Sequence, residues 1–176
     1  LEHNLVVPFH YFGISDIKSI DYENIDLSKI DELAKLLNVN KRAEFIVEQM
    51  NFYSHIGNKR KVIGFCVSKE HASFMSEKFN ENKINSISLT SVDSIEKREE
   101  YIKKLEDEND SLEVIFTVDI FNEGVDIPSI NTVLFLRPTN SPIVFIQQLG
   151  RGLRKHKNKE FLTVLDFIGN HKKAYL

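Results

Sequence analysis

The sequence predicts an α/β protein with a parallel sheet and helices on both faces, in three layers. From residue 61 onward, short apolar segments alternate with amphipathic ones, which is typical of strand and helix following each other in turn. The apolar run at 62–67 has no polar alternation, as expected of a strand buried on both faces. With 176 residues, 41% of them hydrophobic, the chain is long enough for one domain with a substantial core.

The composition argues against several classes of protein. The net charge of −3 argues against a strongly basic nucleic-acid binder, although residues 151–160 hold a local basic segment. The one cysteine, Cys66, excludes a disulfide framework and predicts a reducing cytoplasm. No apolar run approaches 18 residues, so we expect neither a membrane span nor a signal peptide.

The first 60 residues predict an extension that leads into the main domain. Residues 5–14 are apolar and aromatic but contain Pro8 and Gly13, so they predict a strand or an extended connector. Amphipathic patterns predict helices over 28–37 and 41–53, the second with Asn40 as a candidate N-cap. We therefore expect a connector with a helical extension over 1–39 and the main domain over 40–176.

The remaining elements follow in regular alternation. Ser68 is a candidate N-cap for the helix after the first strand, and Asp93 with Glu96 resembles a capping box for the next helix. Ser141 and Pro142 open a later helix. Strands are predicted at 62–67, 84–89, 112–118, 132–136 and 161–167, with helices to about 82, to about 107 and from 141 onward.

Two stretches concentrate candidate functional residues. A loop at 119–128, rich in glycine and acid, follows a strand, and ligands of parallel sheets gather where strands end. On the later helix, Gln147, Arg151 and Arg154 fall at i, i+4 and i+7, within an arc of about 60°. Two guanidinium groups beside a glutamine can clamp a polyphosphate. The alternative interpretation is a surface helix with two solvated arginines.

These stretches resemble helicase motifs. The run TVDIFNEGVDIP at 117–128 resembles motif V of superfamily II helicases, and QQLGRGLR at 147–154 resembles their motif VI. The segment 62–68 is similar to motif IV. The order and spacing match the second RecA-like lobe over about 40–168. Within the superfamily, the residues QQLGRGLR at 147–154 and LDFIGN at 165–170 resemble those of the type III restriction enzyme-like branch. This branch includes bacterial DNA helicases that are often fused to a phospholipase-D-like nuclease domain.

The resemblance implies a RecA-like fold of the P-loop NTPase type and a role for individual residues. It implies that Arg151 and Arg154 reach the γ-phosphate of ATP across the cleft between two lobes, and that Gln147 contacts the phosphate or the attacking water. The positions that it assigns to ATP binding are Gly124, Asp126, Glu123 and Gly150. The positions that it assigns to nucleic acid are Thr117, Ser68, Thr90 and Ser91, for which a strand end or a helix cap is the competing interpretation.

The sequence has no phosphate loop of the G-x-x-x-x-G-K-[ST] type. The resemblance therefore implies that ATP and Mg²⁺ are held mainly by an N-terminal RecA-like lobe, and that this chain is inactive alone. Its expected partners are that lobe and single- or double-stranded DNA, with no membrane. No metal site is predicted. The alternative function is a catalytically inactive RecA-like lobe that serves as a protein or nucleic-acid binding platform.

Overall fold

The computed structural model describes residues 9–14, 40–54, 57–119, 126–139, 141–151 and 162–169. In these ranges six strands form one sheet in the order β1-β6-β5-β2-β4-β3. The strands are β1 Phe9–Gly13, β2 Val62–Phe65, β3 Ser86–Ser88, β4 Val114–Thr117, β5 Thr132–Phe135 and β6 Leu162–Asp166. The helices are α1 Asn40–Phe52, α2 Lys69–Glu81, α3 Ile95–Glu106 and α4 Pro142–Arg151.

Every described strand pair is parallel, which confirms the predicted α/β architecture. Because successive side chains of a strand point to opposite faces, each strand feeds two cores. On one face Ile63 and Phe65 of β2 pack in a cluster with residues of α3 and α4. On the other face Val62 packs with residues of α1 and α2. The helices therefore cover both faces, as predicted.

The centre of the sheet depends on one glycine. A Cβ atom at Gly64 of β2 would lie 2.5 Å from the ring of Phe116 on the neighbouring strand β4. That ring in turn packs edge-on against Phe79 of α2, with 4.9 Å between the ring centroids. Gly64 thus leaves the space that a large aromatic side chain fills between the sheet and the helix.

Most helix ends agree with the sequence, but one cap was wrong. Ser68 caps α2, as predicted, and Asn82 ends it. The N-cap of α3 is Ser94 and not Asp93, because the Oγ of Ser94 accepts a hydrogen bond of 3.1 Å from the N–H of Lys97. The carboxylate of Asp93 closes the preceding turn instead, where it accepts the N–H of Thr90 at 2.9 Å.

The N-terminal part of the chain is described only in part. The segment predicted as a strand or connector contains β1, which pairs residue by residue with β6. The predicted helix over 28–37 lies outside the described residues, and the boundary at residue 40 stays a prediction. None of the helices that the structure describes is both long and apolar enough to cross a membrane.

Candidate functional site

The carboxyl ends of three neighbouring strands lie at one edge of the sheet. Because all described strands run the same way, the residues that follow β2, β4 and β5 meet at one edge. Hydrogen bonds across this edge hold the strand ends in place. The N–H of Cys66 donates to the C=O of Thr117 at 2.8 Å, and the N–H of Leu136 donates to the C=O of Phe65 at 3.0 Å. The segments predicted as motifs IV and V therefore leave the sheet from fixed positions.

Arg137 links two of these segments. Its Nη1 donates a 3.1 Å hydrogen bond to the C=O of Val118, so the second residue after β5 holds the first residue after β4. The sequence reasoning missed Arg137. The signal was nevertheless present, because Arg137 is the first polar residue after the apolar strand at 132–136, at the edge where ligands gather.

Helix α4 has one face buried in the core and one face exposed to solvent. Ile146 and Leu149 are buried in the core, whereas Gln147 is exposed and Val144 keeps 51% of its surface accessible. At about 100° per residue, positions 144, 147 and 151 fall on the face opposite Ile146. Arg151 is the last residue of the helix. Of Gly150 and Arg151 the structure describes the helical backbone alone, and Arg154 lies outside the described residues.

The end of the loop predicted as motif V is anchored in the core. Glu123 and Gly124 lie outside the described residues, and Asp126 is exposed where the description resumes. Directly after it, Ile127 and Ile130 are almost fully buried, and the N–H of Ile130 donates to the C=O of Ile127 at 3.2 Å. This buried turn presents the Asp126 carboxylate to solvent.

The four residues predicted to contact nucleic acid differ in accessibility. Thr117 is fully buried at the end of β4, and Thr90 is 3% exposed. Ser91 is exposed and Ser68 is half-buried. The Oγ of Ser68 accepts the N–H of His71 at 3.0 Å, so its own O–H can still donate to another group. Capping and a phosphate contact are thus compatible at Ser68.

His71 stiffens the same turn. It is fully buried, and its Nδ1 accepts a 3.1 Å hydrogen bond from the N–H of Val67. Burial, followed by the charge of Arg42, lowers the pKa of His71 to about 3, so the ring stays neutral and can accept this bond. The sequence reasoning assigned His71 nothing. The signal that could have identified His71 is the pattern Ser-x-x-His at a helix start, which has the same spacing as the capping box.

Comparison with known proteins assigns the family. Residues 29–156 match the model of the helicase conserved C-terminal domain. The chain belongs to this family. The predicted resemblance to the C-terminal RecA-like lobe of superfamily II helicases is thereby confirmed.

Two relatives are much longer than this helicase domain. The chain is 33% identical over 156 residues to the Saccharomyces cerevisiae protein named "Putative ATP-dependent helicase IRC3". The match covers 89% of this chain and 22% of that protein. The chain is 27% identical over 134 residues to the type I restriction enzyme EcoKI endonuclease subunit of Escherichia coli, covering 69% and 11%. The chain thus spans about a fifth, or less, of the length of these two relatives.

Solved structures show the same fold. A fragment of "a putative HsdR subunit of a type I restriction enzyme" from Vibrio vulnificus YJ016 superimposes with a TM-score of 0.69 at 21% identity, over 97% of this chain and 34% of that one. The C-terminal domain of the DEAD-box protein Dbp5 gives a TM-score of 0.56 at 16% identity, over 97% and 82%. The helicase domain therefore has the RecA-like fold.

Proposed function

We propose that this chain is the second motor lobe of an ATP-dependent superfamily II DNA helicase or translocase. The family match over residues 29–156 supports a motor lobe. The observation that carries the proposal is the open face of α4, where Gln147 is exposed on the side opposite the core. From this exposed position the Gln147 side chain can reach a nucleotide held by another lobe, which a glutamine buried against the sheet could not do.

The open face of α4 suits the closing of a nucleotide site. Arg151 and Arg154 stabilise the negative charge that develops on the transferred phosphoryl group, while Gln147 orients the phosphate or the attacking water. Their forked guanidinium groups hold a phosphate in a defined orientation. Asp126 is exposed at the end of its loop, and its carboxylate accepts a hydrogen bond from a ribose hydroxyl. Glu123, Gly124 and Gly150 form the rest of the ATP-binding surface on this lobe.

ATP itself is held mainly by the N-terminal lobe in this proposal. The sequence contains no phosphate loop. In this proposal Mg²⁺ accompanies the ATP in that other lobe. When bound, Mg²⁺ neutralises charge on the phosphates. The chain alone is expected to hydrolyse no ATP, because its arginines act on a nucleotide bound elsewhere.

The nucleic acid lies along the carboxyl edge in this proposal. Ser68 and Ser91 are the accessible candidates for backbone contacts, and the spare O–H of Ser68 is a suitable donor to a phosphate oxygen. The roles of the buried Thr117 and Thr90 stay predictions. One lobe with few phosphate contacts binds single-stranded DNA weakly, with a slope of about −0.7 per contact in log affinity against log salt.

The deciding experiment substitutes the arginines in the complete protein. Arg151→Ala or Arg154→Ala should lower DNA-stimulated ATP turnover by roughly 10³ or more, the scale of a transition-state arginine. Melting temperature should barely change, because a solvated guanidinium contributes about 0 to 1 kcal/mol. Arg→Lys should stay severely impaired, since lysine lacks the bidentate fork.

Lys103→Ala is the matched control, since Lys103 is an exposed cation on α3, and its turnover should equal the wild type. Near wild-type turnover in both arginine-to-alanine variants, measured with DNA present, would favour the binding platform over the motor lobe.

A further inference from the structure

Strand β3 is an outer strand of the sheet, and its peptide groups alternate between two directions. The C=O of Asn85 accepts from the N–H of Glu113, and the N–H of Leu89 donates to the C=O of Phe116, each at 2.9 Å. These groups face β4. In parallel pairing the neighbouring residues point the opposite way. The N–H and C=O groups of Ser86, Ser88 and Thr90 therefore face away from the sheet.

Side chains close two of these three outward positions. At Ser86, the Asn80 side chain accepts the N–H at 2.8 Å and donates to the C=O at 3.1 Å, so its amide replaces the peptide of a neighbouring strand. At Thr90, the Asp93 carboxylate accepts the N–H at 2.9 Å and the Asp93 N–H donates to the C=O at 3.0 Å. An edge closed at both ends resists pairing with a long strand.

Ser88 is the open position between them. Within the described ranges, no group forms a hydrogen bond with its outward N–H or C=O. Ser88 is half-buried in a groove of 590 Å³, whose walls include Ser73 and Glu77 of α2 and Lys97 of α3. A half-buried peptide group without a partner gains from any ligand that supplies a donor and an acceptor together.

The charges of the groove indicate what kind of ligand fits. Lys97 is already paired with Asp93 at 2.8 Å. Glu81 forms a surface ion pair with Lys78 at 3.1 Å. Glu77 is exposed and forms no ion pair with any residue in the described part of the chain, so the groove keeps a surplus of negative charge. The half-buried side chain of Ile87 adds an apolar contact.

We propose that this groove binds a short extended segment of a partner protein that carries a lysine or arginine. One residue of the segment pairs with the N–H and C=O of Ser88, and its basic side chain lies against Glu77. This is strand addition limited to a single peptide unit. A second copy of β3 does not fit as the occupant, because its residues 86–89 include no basic side chain that could lie against Glu77. The proposal is independent of the ATPase role.

The test uses a fluorescein-labelled hexapeptide, Lys-Val-Arg-Val-Lys-Val, and a counterpart with glutamate at each basic position. With the ¹⁵N-labelled 176-residue chain, the basic peptide should shift the Ser88 amide resonance, and binding measured by anisotropy should weaken as salt rises. The acidic peptide should not bind. Glu77→Gln should weaken binding of the basic peptide by about two- to fivefold, the range of an exposed ion pair.

Ser88→Pro is the sharp variant, because proline removes only an N–H that points away from the sheet and is tolerated at such edge positions. It should abolish binding, whereas the matched control Ser88→Ala keeps the N–H and should bind as the wild type does. A basic peptide N-methylated at its central residues should also fail to bind, which tests the backbone pairing on unaltered protein. An unmoved Ser88 amide, or undiminished binding of the N-methylated peptide, would overturn the proposal.

Discussion

The hydroxyl of Tyr11 donates a 2.6 Å hydrogen bond to Oδ2 of Asp166 and so joins the first strand of the sheet to the last. Asp166 is fully buried, and its Oδ1 accepts the N–H of Ile168 at 2.9 Å. Its backbone C=O accepts the N–H of Ile14 at 2.8 Å. One residue at the end of β6 therefore fixes both the exit from β1 and the turn that follows β6.

Tyr11→Phe should destabilise the protein by about 1–3 kcal/mol, because a fully buried carboxylate loses a donor. Urea unfolding of the 176-residue chain measures this as a lower midpoint with an unchanged slope. Tyr53→Phe is the matched control, since no described residue bonds to that hydroxyl, and it should change stability by less than about 0.5 kcal/mol. Equal losses in the two variants would contradict the role given to this hydrogen bond.

Lys59 closes the C-terminal end of α3 from a distant part of the chain. Its Nζ donates to the C=O groups of Lys104, Leu105 and Asp107 at 3.0, 2.9 and 2.6 Å. An ammonium group there satisfies carbonyls that a helix end leaves without partners and lies at the negative end of the helix dipole.

Lys59→Met should therefore cost about 1.5–3 kcal/mol of unfolding free energy. Lys103→Met, an exposed lysine in the last turn of the same helix, should cost less than about 0.5 kcal/mol. Thermal unfolding of both variants would show the difference. A melting temperature of Lys59→Met equal to that of the control would mean that the three carbonyl contacts contribute nothing.

His71 should make stability depend on acid. Its pKa falls from 6.5 to about 3 on folding, so the unfolded chain takes up the proton first as the pH drops. The stabilisation is complete above pH 6.5 and is lost progressively between 6.5 and about 3. Between pH 7 and pH 5 this amounts to about 2 kcal/mol.

His71→Asn tests this linkage, because the asparagine Oδ1 can still accept the N–H of Val67 but does not titrate. Urea unfolding at a series of pH values should show that the stability of the variant falls less steeply than that of the wild type below pH 6.5. Parallel curves for the two proteins would show that another group carries the acid sensitivity.

Arg137 should act as a positioning residue, through Val118, for the loop that follows β4. If that loop borders the nucleotide, Arg137→Ala should lower kcat for ATP in the complete protein by about ten- to hundredfold, the cost of a displaced catalytic loop. Arg137→Lys should recover part of the loss, because a single N–H suffices for the bond to the Val118 C=O. Arg151→Lys should not recover, and this contrast separates positioning from phosphate binding. A loss of stability with unchanged kcat would reduce Arg137 to a structural role.

Local patterns of the sequence determined the elements. The apolar runs specify strands buried on both faces, because only a sheet covered on each side leaves no polar face. Ser68 and Pro142 predict helix starts, since capping depends on residues within one turn. The stretches predicted as motifs V and VI could be located from the sequence alone, because their residues are neighbours along the chain.

Only the tertiary structure decided which distant groups meet. Tyr11 and Asp166 stand 155 positions apart, and Lys59 meets the end of α3 across 45 or more. No periodicity encodes such pairs, since they depend on strand order. The candidate site gives two further examples. Only the structure shows that Thr117 is buried whereas Ser68 is partly accessible, and that Arg137 bonds to the C=O of Val118. The Asp93 carboxylate accepts the N–H of Thr90 and the Nζ of Lys97, and Ser94 rather than Asp93 caps α3. Packing between strands and helices selects among local alternatives that are nearly equal in free energy, and the sequence pattern alone does not rank them.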